Sequence, residues 1–428
     1  MNGLFSVLRH RDFRLLWLAQ SASTIGDRIV TVALALFVID LTGSATDLGF
    51  VLAAHAVPLL GFMLLGGIWA DRLPRHRLMV GTDLIRFALH AILAVLIVAG
   101  AAEIWLVVIV EALFGTAEAF FRPAATGLVP QTVPEAEIQE ANALIGMVNN
   151  VSEFLGPALA TVLVLGLGPA TAFAVDAATF LLSAALLVRL RPRTRGASAG
   201  TVMAQEGERS KNWEAIQEGF HEVRSREWVW GTLLGFCLAL FAGLAPWLVL
   251  GPVIAEQQYG DIAFYGIVTA ALGIGTIAGS VIGISWRPVH PMRAGMIWAS
   301  IWPLAAMLYA LGLTLWLVIP ANVVGGLGIA LFDVWWMTAL NERIPPDRLS
   351  RVSSYDWMVS LGLLPLGYLL AGPLARSLGA VEVLAAGSAI AFLALAATLL
   401  SRDIRSLERI EGRSREPITG ERPGLPVP

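Results

Sequence analysis

Ionisable side chains occur inside stretches of this sequence that are otherwise apolar. They are Asp27, Arg28, Glu111, Glu118, Glu153, Asp176 and Asp333. At the centre of a membrane helix each costs at least about 2.5–3.5 kcal/mol to insert, so such residues usually serve a function. Acids outnumber bases in this set, and the carboxylates cannot all be ionised and paired at once. The set therefore predicts groups that bind and release protons in a central cavity.

The spacing within one stretch strengthens this prediction. Glu111, Gly115, Glu118 and Arg122 recur at intervals that place them on one face of a helix. Nearly all the acids precede residue 190, and Asp333 alone follows it. We expect the first part of the chain to handle protons and the second part mainly to shape the cavity. For any single carboxylate, tying helices together is an equally good interpretation.

Other polar residues in the apolar stretches receive a structural interpretation. Asp83 and Arg86 are spaced to pair on one helix and should lie nearer the cytoplasm than the other charged residues of the spans. His55 and His90 are isolated in apolar sequence and are interpreted as hydrogen-bonded packing residues rather than proton carriers. Arg28 is then the only central cation, and we expect it to tune Asp27.

The composition excludes a soluble protein. Hydrophobic residues make up 57% of the chain and charged residues 14%, against roughly a quarter charged in soluble domains. The net charge of −3 gives no reason to expect a nucleic acid partner. The sequence contains no phosphate-binding loop and no metal-binding pattern, so we expect no cofactor, no metal and no enzymatic activity.

Windows of about 20 apolar residues predict an all-α membrane protein with twelve transmembrane helices. The predicted spans are 15–40, 47–70, 79–99, 105–127, 141–165, 169–190, 229–254, 263–285, 292–311, 315–339, 352–375 and 380–400. Gly279 follows Gly67 by 212 residues, and Pro346 follows Pro134 by the same interval, which predicts two six-helix pseudo-symmetric halves.

The domain boundaries follow from these spans. The halves are 1–190 and 229–400, joined by a cytoplasmic linker with an amphipathic helix, 191–228, and followed by a disordered tail, 401–428. Arginines fall on one side of this arrangement, and Arg376 is essentially the only basic residue on the other. This asymmetry predicts a multi-pass protein of the bacterial inner membrane with both termini in the cytoplasm.

One carboxylate and three guanidiniums cluster between the second and third spans. They are Asp71, Arg72, Arg75 and Arg77, and Gly67, just upstream, should let another helix approach closely. With Ala70, these residues resemble the motif Gly-x-Leu-Ala-Asp-Arg-x-Gly-Arg-Arg/Lys of the major facilitator superfamily; Trp69, Pro74 and His76 depart from it. The resemblance implies a conformational gate in which the carboxylate pairs in one state and releases in another.

A second resemblance lies in the fifth span. Gly156 and Pro157 are similar to the centre of the antiporter motif of exporters in this superfamily and should allow close packing and a bend at the interface between halves. The overall sequence resembles the branch of enterobactin exporters and macrolide efflux proteins, on the segments Leu8–Arg14, Gly26-Asp27, Leu41–Ala45 and Phe121–Ala124. In the fourth span Glu111 replaces an arginine that exporters use for proton coupling, so that role cannot be transferred.

Together, the buried carboxylates and the resemblance predict a secondary active transporter. We expect export of an amphipathic small molecule, such as a drug, siderophore or other secondary metabolite, by proton antiport through alternating access. Its partners would be the substrate, protons and the lipid bilayer, and it should function as a monomer. Two alternatives are a lipid or lysolipid translocator and a non-transporting membrane receptor or scaffold. The insertion cost of the carboxylates argues against the scaffold.

Overall fold

The first six helices of this computed structural model form one packed group. The structure describes residues 4–134, 137–191, 220–344, 352, 355–356 and 358–409, and all regular elements in these ranges are helical. The helices of this group are α1 Arg11–Thr42, α2 Ala45–Arg72, α3 Arg75–Val98, α4 Ile104–Leu128, α5 Ile138–Leu167 and α6 Pro169–Leu187. Helix α2 packs mainly on α4, and α6 packs on α1 and α3.

A second group of helices follows residue 220. These are α7 Glu227–Ala239, α8 Ala245–Tyr259, α9 Ala263–Ser285, α10 Pro291–Ala299, α11 Ile301–Ala310, α12 Leu315–Arg343, α13 Leu364–Leu378, α14 Ala380–Thr398 and α15 Arg402–Arg405. A π-helical turn, Leu240–Leu244, joins α7 to α8. Most of the predicted linker helix lies outside the described residues. Ile404 of α15 is buried, so the first residues of the predicted tail pack against the protein.

Ten helical segments in the described part of the chain are long and apolar enough to cross a membrane. The predicted fifth span corresponds to α5, whose apolar portion is the shorter segment Gly156–Leu167. The predicted ninth span is divided at Ser300 into α10 and α11. The all-α membrane fold is therefore confirmed, while the count of twelve spans and the two symmetric halves stay predictions.

Glycines set the closest helix contacts in the first group. A Cβ atom on Gly115 of α4 would collide with the backbone carbonyl of His55, and one on Gly66 of α2 would collide with that of Ala119. These contacts bring α2 and α4 together at backbone distance and hold His55 against α4. The close helix contact predicted at Gly67 is wrong. The contact is made by the preceding residue, Gly66, and Gly67 faces open space.

The buried apolar residues of the described ranges form three separate clusters. The arginine-rich end, which holds Arg72, Arg75 and Arg77, contains two separate clusters, one from each helix group. The opposite end contains one cluster shared by both groups, including Ile39, Val249 and Tyr368. Among the described residues, the groups thus pack together at the end opposite the arginines and form separate cores at the arginine-rich end.

A buried chain of carboxylates and histidines

Four helices of the first group bring ionisable side chains together. Helix α4 contributes Glu111 and Glu118 from one face, α2 contributes His55, α3 contributes His90, and α6 contributes Asp176. The backbone contact of α2 with α4 at Gly115 places the imidazole of His55 between the two glutamates.

Alternating acidic and basic groups form a continuous series from the surface inwards. Arg122 donates through Nε to Oε1 of Glu118 at 2.8 Å. The other oxygen of Glu118 lies 3.1 Å from Nε2 of His55, and Nδ1 of His55 lies 3.1 Å from Oε2 of Glu111. This imidazole therefore bridges two carboxyl groups that are seven residues apart on α4.

The series continues through His90 to the core of the helix group. Oε1 of Glu111 lies 3.7 Å from Nε2 of His90, within ion-pair range but longer than a hydrogen bond. Nδ1 of His90 is hydrogen-bonded to Oδ2 of Asp176 at 2.5 Å. We call the series Glu118, His55, Glu111, His90 and Asp176 the relay.

Arg86 organises a second branch of the cluster. Its guanidinium forms an ion pair with Asp83 and lies 3.8 Å from Oδ2 of Asp27. Ser183 donates to the second oxygen of Asp83 at 2.6 Å. The rings of Phe121 and Phe180 cover the guanidinium, with centroids 4.1 and 4.3 Å from its carbon atom.

The outer members of the relay and their neighbours are partly exposed, and the inner end of the relay is buried. The side chain of Arg122 is 49% exposed, that of Asp27 33% and that of His55 26%. The exposed fraction falls to 12% at Glu118 and to 0% at Asp176. Partly exposed ionisable side chains in membrane helices almost always face the interior of the bundle or a water-filled cavity. We therefore infer that Asp27, His55 and Glu118 face a central opening between the helices.

The hydrogen-bond chemistry requires extra protons. An ionised carboxylate only accepts hydrogen bonds, and a neutral imidazole has one donor nitrogen and one acceptor nitrogen. An imidazole between two carboxyl groups therefore satisfies both only if it is protonated or if one carboxyl group carries a proton. His55 lies between two carboxyl groups, those of Glu118 and Glu111. His90 lies between Asp176 and, at the longer distance, Glu111.

The charge balance leads to the same result. The cluster holds five carboxyl groups, on Asp27, Asp83, Glu111, Glu118 and Asp176, against the guanidiniums of Arg86 and Arg122. Buried charge without compensation is strongly unfavourable. The described residues contain no group of three or more acidic, histidine or cysteine side chains suited to hold a metal ion. The described carboxyl groups of this cluster thus outnumber the guanidiniums that contact them.

Contacts between the two helix groups lie at the end opposite the arginines. A Cβ atom on Gly49 of α2 would collide with the carbonyl of Tyr368 on α13, and one on Gly372 of α13 would collide with the backbone of Thr46. Gly266 of α9 packs on Thr161 of α5 in the same way. These three glycines permit close packing that closes this end of the molecule.

Comparison with known proteins agrees with this architecture. The sequence model of the transmembrane secretion effector family matches residues 2–423. The chain belongs to this family of major facilitator superfamily transporters. This confirms the resemblance seen in the sequence and identifies a multi-pass membrane transporter of the efflux type. The inner membrane and the cytoplasmic termini stay predictions.

Relatives with efflux names match along most of this transporter. Macrolide efflux protein A of Streptococcus pyogenes is 23% identical over 92% of this chain and 97% of its own length. The multidrug efflux pump Tap of Mycolicibacterium fortuitum is 27% identical over 88% of this chain and 90% of its own length.

Solved transporters share the fold. The nucleoside transporter NupG has a TM-score of 0.69 and 13% identity, over 91% of this chain and 98% of that protein. A bacterial homologue of the lysosomal transporter Spinster, in an inward-facing and occupied conformation, has a TM-score of 0.66 and 16% identity, over 93% and 97%.

The structure brings together four of the acids predicted from the sequence, namely Asp27, Glu111, Glu118 and Asp176. Asp333 is exposed on α12, in the other helix group. The side chain of Glu153 lies outside the described part of the transporter. The guanidinium beside Asp27 belongs to Arg86, which is buried in the middle of α3 and forms the predicted pair with Asp83.

The interpretation of the two histidines as isolated residues is wrong. Each contacts carboxyl groups on other helices, and these partners are 21 to 86 residues away in the sequence. One signal could have indicated this. An imidazole in a membrane helix needs a polar partner just as a carboxylate does, and the sequence offers several carboxylates without one.

The predicted gate is only partly described. Arg75 donates to the carbonyls of Ala70 and Gly127, at 3.3 and 2.5 Å, and so connects the ends of α2 and α4. Arg72 and Arg77 are exposed, and the side chain of Asp71 lies outside the described residues.

The helix five motif packs on both helix groups. Gly156 contacts the backbone of Arg28 on α1, within the same helix group, rather than the interface between groups. Pro157 is buried beside it and accepts a hydrogen bond from Thr161 through its carbonyl, at 2.8 Å. The contact with the second group comes one turn later in α5, at Thr161.

Proposed function

We propose that this transporter exports amphipathic cations by exchange for protons, and that the relay is the coupling site. The observation that carries the proposal is the alternation of carboxyl and imidazole groups from the opening at Glu118 to the buried Asp176, in which only the 3.7 Å step between Glu111 and His90 is longer than a hydrogen bond. Each imidazole between two carboxyl groups requires an extra proton. If these groups served only to hold helices together, apolar side chains could do the same without the free-energy cost of inserting ionisable groups into a membrane.

Substrate and proton compete at the exposed end of the relay. Glu118 and Asp27 present carboxylates to the opening, where a cationic substrate forms an ion pair with either of them. The positive charge of the substrate disfavours a proton on the adjacent imidazole of His55, which then releases it to the opening. After substrate leaves on the other side, the relay takes up a proton again. Protons bound deeper, at His90 and Asp176, are kept away from water.

Alternating access completes the proposal. With both termini in the cytoplasm, the closed end at Gly49, Gly372 and Gly266 faces outward, and the arginine-rich end with its two separate cores faces the cytoplasm. The structure then corresponds to an inward-open state. Opening of the outer end requires the glycine contacts to separate.

Transport by reconstituted protein tests the proposal. Liposomes with an imposed pH gradient are offered a fluorescent lipophilic cation or a macrolide, and uphill movement is measured. Glu118→Gln should abolish uphill transport but retain substrate exchange, because the amide mimics a permanently protonated carboxyl group. Glu103→Gln, at the exposed start of the same helix, is the matched control. Asp27→Asn, with Asp40→Asn as control on α1, tests the second carboxylate.

Specific results would contradict the proposal. Uphill transport by Glu118→Gln at the rate of Glu103→Gln, with unchanged pH dependence, would remove Glu118 from coupling. If substrate transport by the wild-type protein did not depend on the pH gradient, the proposed exchange for protons would be excluded. Movement of a labelled lysolipid without movement of either cation would instead support the lipid translocator.

A further inference from the structure

An apolar groove lies on the outside of the first helix group, at its arginine-rich end. It runs between the end of α2, the first half of α3 and the second half of α4, with a volume of about 580 Å³. This volume is within the range of small-molecule sites, about 300–1,000 Å³. Its apolar lining includes Trp69, Leu78, Ile85, Leu89, Leu113 and Phe120.

The groove faces away from the relay. On α4, Leu113, Thr116 and Phe120 line the groove, and their positions are roughly opposite those of Glu111 and Glu118 on the same helix. The side chains of Trp69, Ile85 and Leu113 are 52%, 51% and 51% exposed. In a membrane such side chains contact lipid. The groove is therefore separate from the internal opening.

One cationic side chain lies at the arginine-rich end of this apolar groove. Arg77 lines the groove, its side chain is exposed, and it forms no ion pair with any described carboxylate. Arg72 is exposed at the end of α2, close in sequence to the same turn. An exposed guanidinium beside an apolar groove complements a phosphate attached to a hydrocarbon chain.

The dimensions also fit a lipid. Arg77 and Leu89 are twelve residues apart on α3. At 1.5 Å per residue this is about 18 Å. One leaflet contributes about half of the 30 Å hydrocarbon thickness, so an acyl chain reaching from Arg77 to Leu89 would extend to the middle of the bilayer.

We propose that this groove binds one anionic phospholipid of the cytoplasmic leaflet. Its phosphate contacts Arg77 and its acyl chain lies between α3 and α4, against Gly81 and Ile85. The bound lipid would support the turn between α2 and α3, which Arg75 connects to the end of α4. This site requires neither proton coupling nor any particular substrate, so it stands or fails separately from the proposed function.

Lipid retention by two variants tests the two parts of the site. The full-length protein is placed in nanodiscs of phosphatidylcholine with phosphatidylglycerol, and retained lipids are identified by native mass spectrometry. Arg77→Gln should retain phosphatidylglycerol about tenfold less than wild type, since it loses a hydrogen bond to a charged group. Arg189→Gln, an exposed arginine at the end of α6, is the control and should retain it fully.

A second variant fills the groove without removing charge. A Cβ atom on Gly81 meets no other atom within 4 Å, so Gly81→Leu places its side chain in the groove without a collision at Cβ. It should lose phosphatidylglycerol even though Arg77 is present. Gly61→Leu is the control, because Gly61 also faces open space but does not line the groove.

Three results would overturn the proposal. Equal phosphatidylglycerol retention by Arg77→Gln and Arg189→Gln would remove the phosphate contact. Equal retention of phosphatidylcholine and phosphatidylglycerol by wild type would show a groove that binds hydrocarbon alone. Thermal stabilisation of wild type in detergent by inorganic phosphate to the same extent as by phosphatidylglycerol would indicate a site for free phosphate.

Discussion

The Nε2 atom of His55 lies 3.1 Å from the Oε2 atom of Glu118. This contact joins the exposed end of the relay to its buried part, because the other ring nitrogen of His55 lies 3.1 Å from Glu111. The imidazole is held there by a backbone contact, in which the carbonyl of His55 packs on Gly115 of α4. In the proposed function, a proton that enters the relay at Glu118 passes through this ring to reach Glu111.

His55→Gln should uncouple transport while preserving the fold. Glutamine can donate one hydrogen bond and accept another, but it does not carry an exchangeable proton between two carboxyl groups. We expect uphill export in a pH gradient to fall at least about tenfold, as is usual when a positioned proton-transfer group is lost. Substrate exchange without a gradient should persist. Full uphill activity of this variant would show that protons do not pass through His55.

Arg86→Met should destabilise the protein more than it alters substrate binding. The change leaves the buried Asp83, and Asp27 beside it, without their guanidinium, and removal of one partner of a buried ion pair costs about 3–5 kcal/mol. Denaturation in mixed micelles measures the loss. The double variant Arg86→Met with Asp83→Asn should be less destabilised than the sum of the single changes. Strict additivity of the two would contradict a direct pair.

The sequence was sufficient for the parts of the fold that depend on local pattern. Hydrophobic spans and their turns are local, and Ser44, whose side chain accepts a hydrogen bond from Asp47 N at 3.2 Å, starts α2 as a capping residue. The prediction that Asp27, Glu111 and Glu118 converge rested on the family fold and agrees with the structure. The proton role assigned to them stays a prediction.

The remaining features depend on helix rotation and depth, which a single sequence does not contain. His55 was interpreted as isolated because its partners are on another helix, and the approach of Arg86 to Asp27 on α1 was not predicted for the same reason. The one-residue difference between Gly67 and Gly66 has the same origin, since adjacent residues on a helix face directions about 100° apart. Only the contact between helices determines which of the two glycines is buried.

The orientation of the chain can be tested by cysteine labelling. In a Cys237→Ser background, single cysteines at 42–46 or 257–261 should react with impermeant thiol reagents added outside the cell. Cysteines at 74–78 or 200–210 should react only after the membrane is opened. The expectation follows from the distribution of arginines, which favour the cytoplasmic side. If the labelling were reversed, the predicted topology would be wrong, and the structure would correspond to an outward-open rather than an inward-open state.

Gly49→Val should open the outer end of the transporter. Its side chain would collide with the carbonyl of Tyr368 on α13, so the substitution disfavours the closed outer end and shifts the population towards the state in which α2 and α13 are separated there. A difference of about 1.4 kcal/mol between the two states suffices for a tenfold shift. The reporter is Leu250→Cys in the Cys237→Ser background, because Leu250 is fully buried in the shared core.

Labelling of this cysteine from outside should be about tenfold faster with Gly49→Val than without it, and uphill transport should fall because the outer end must close in each cycle. Gly61→Val on the same helix is the matched control, since a Cβ atom at Gly61 meets no other atom within 4 Å. Circular dichroism and gel filtration distinguish opening from unfolding. Equal labelling rates for the two folded variants would contradict closure of the outer end by the Gly49 contact.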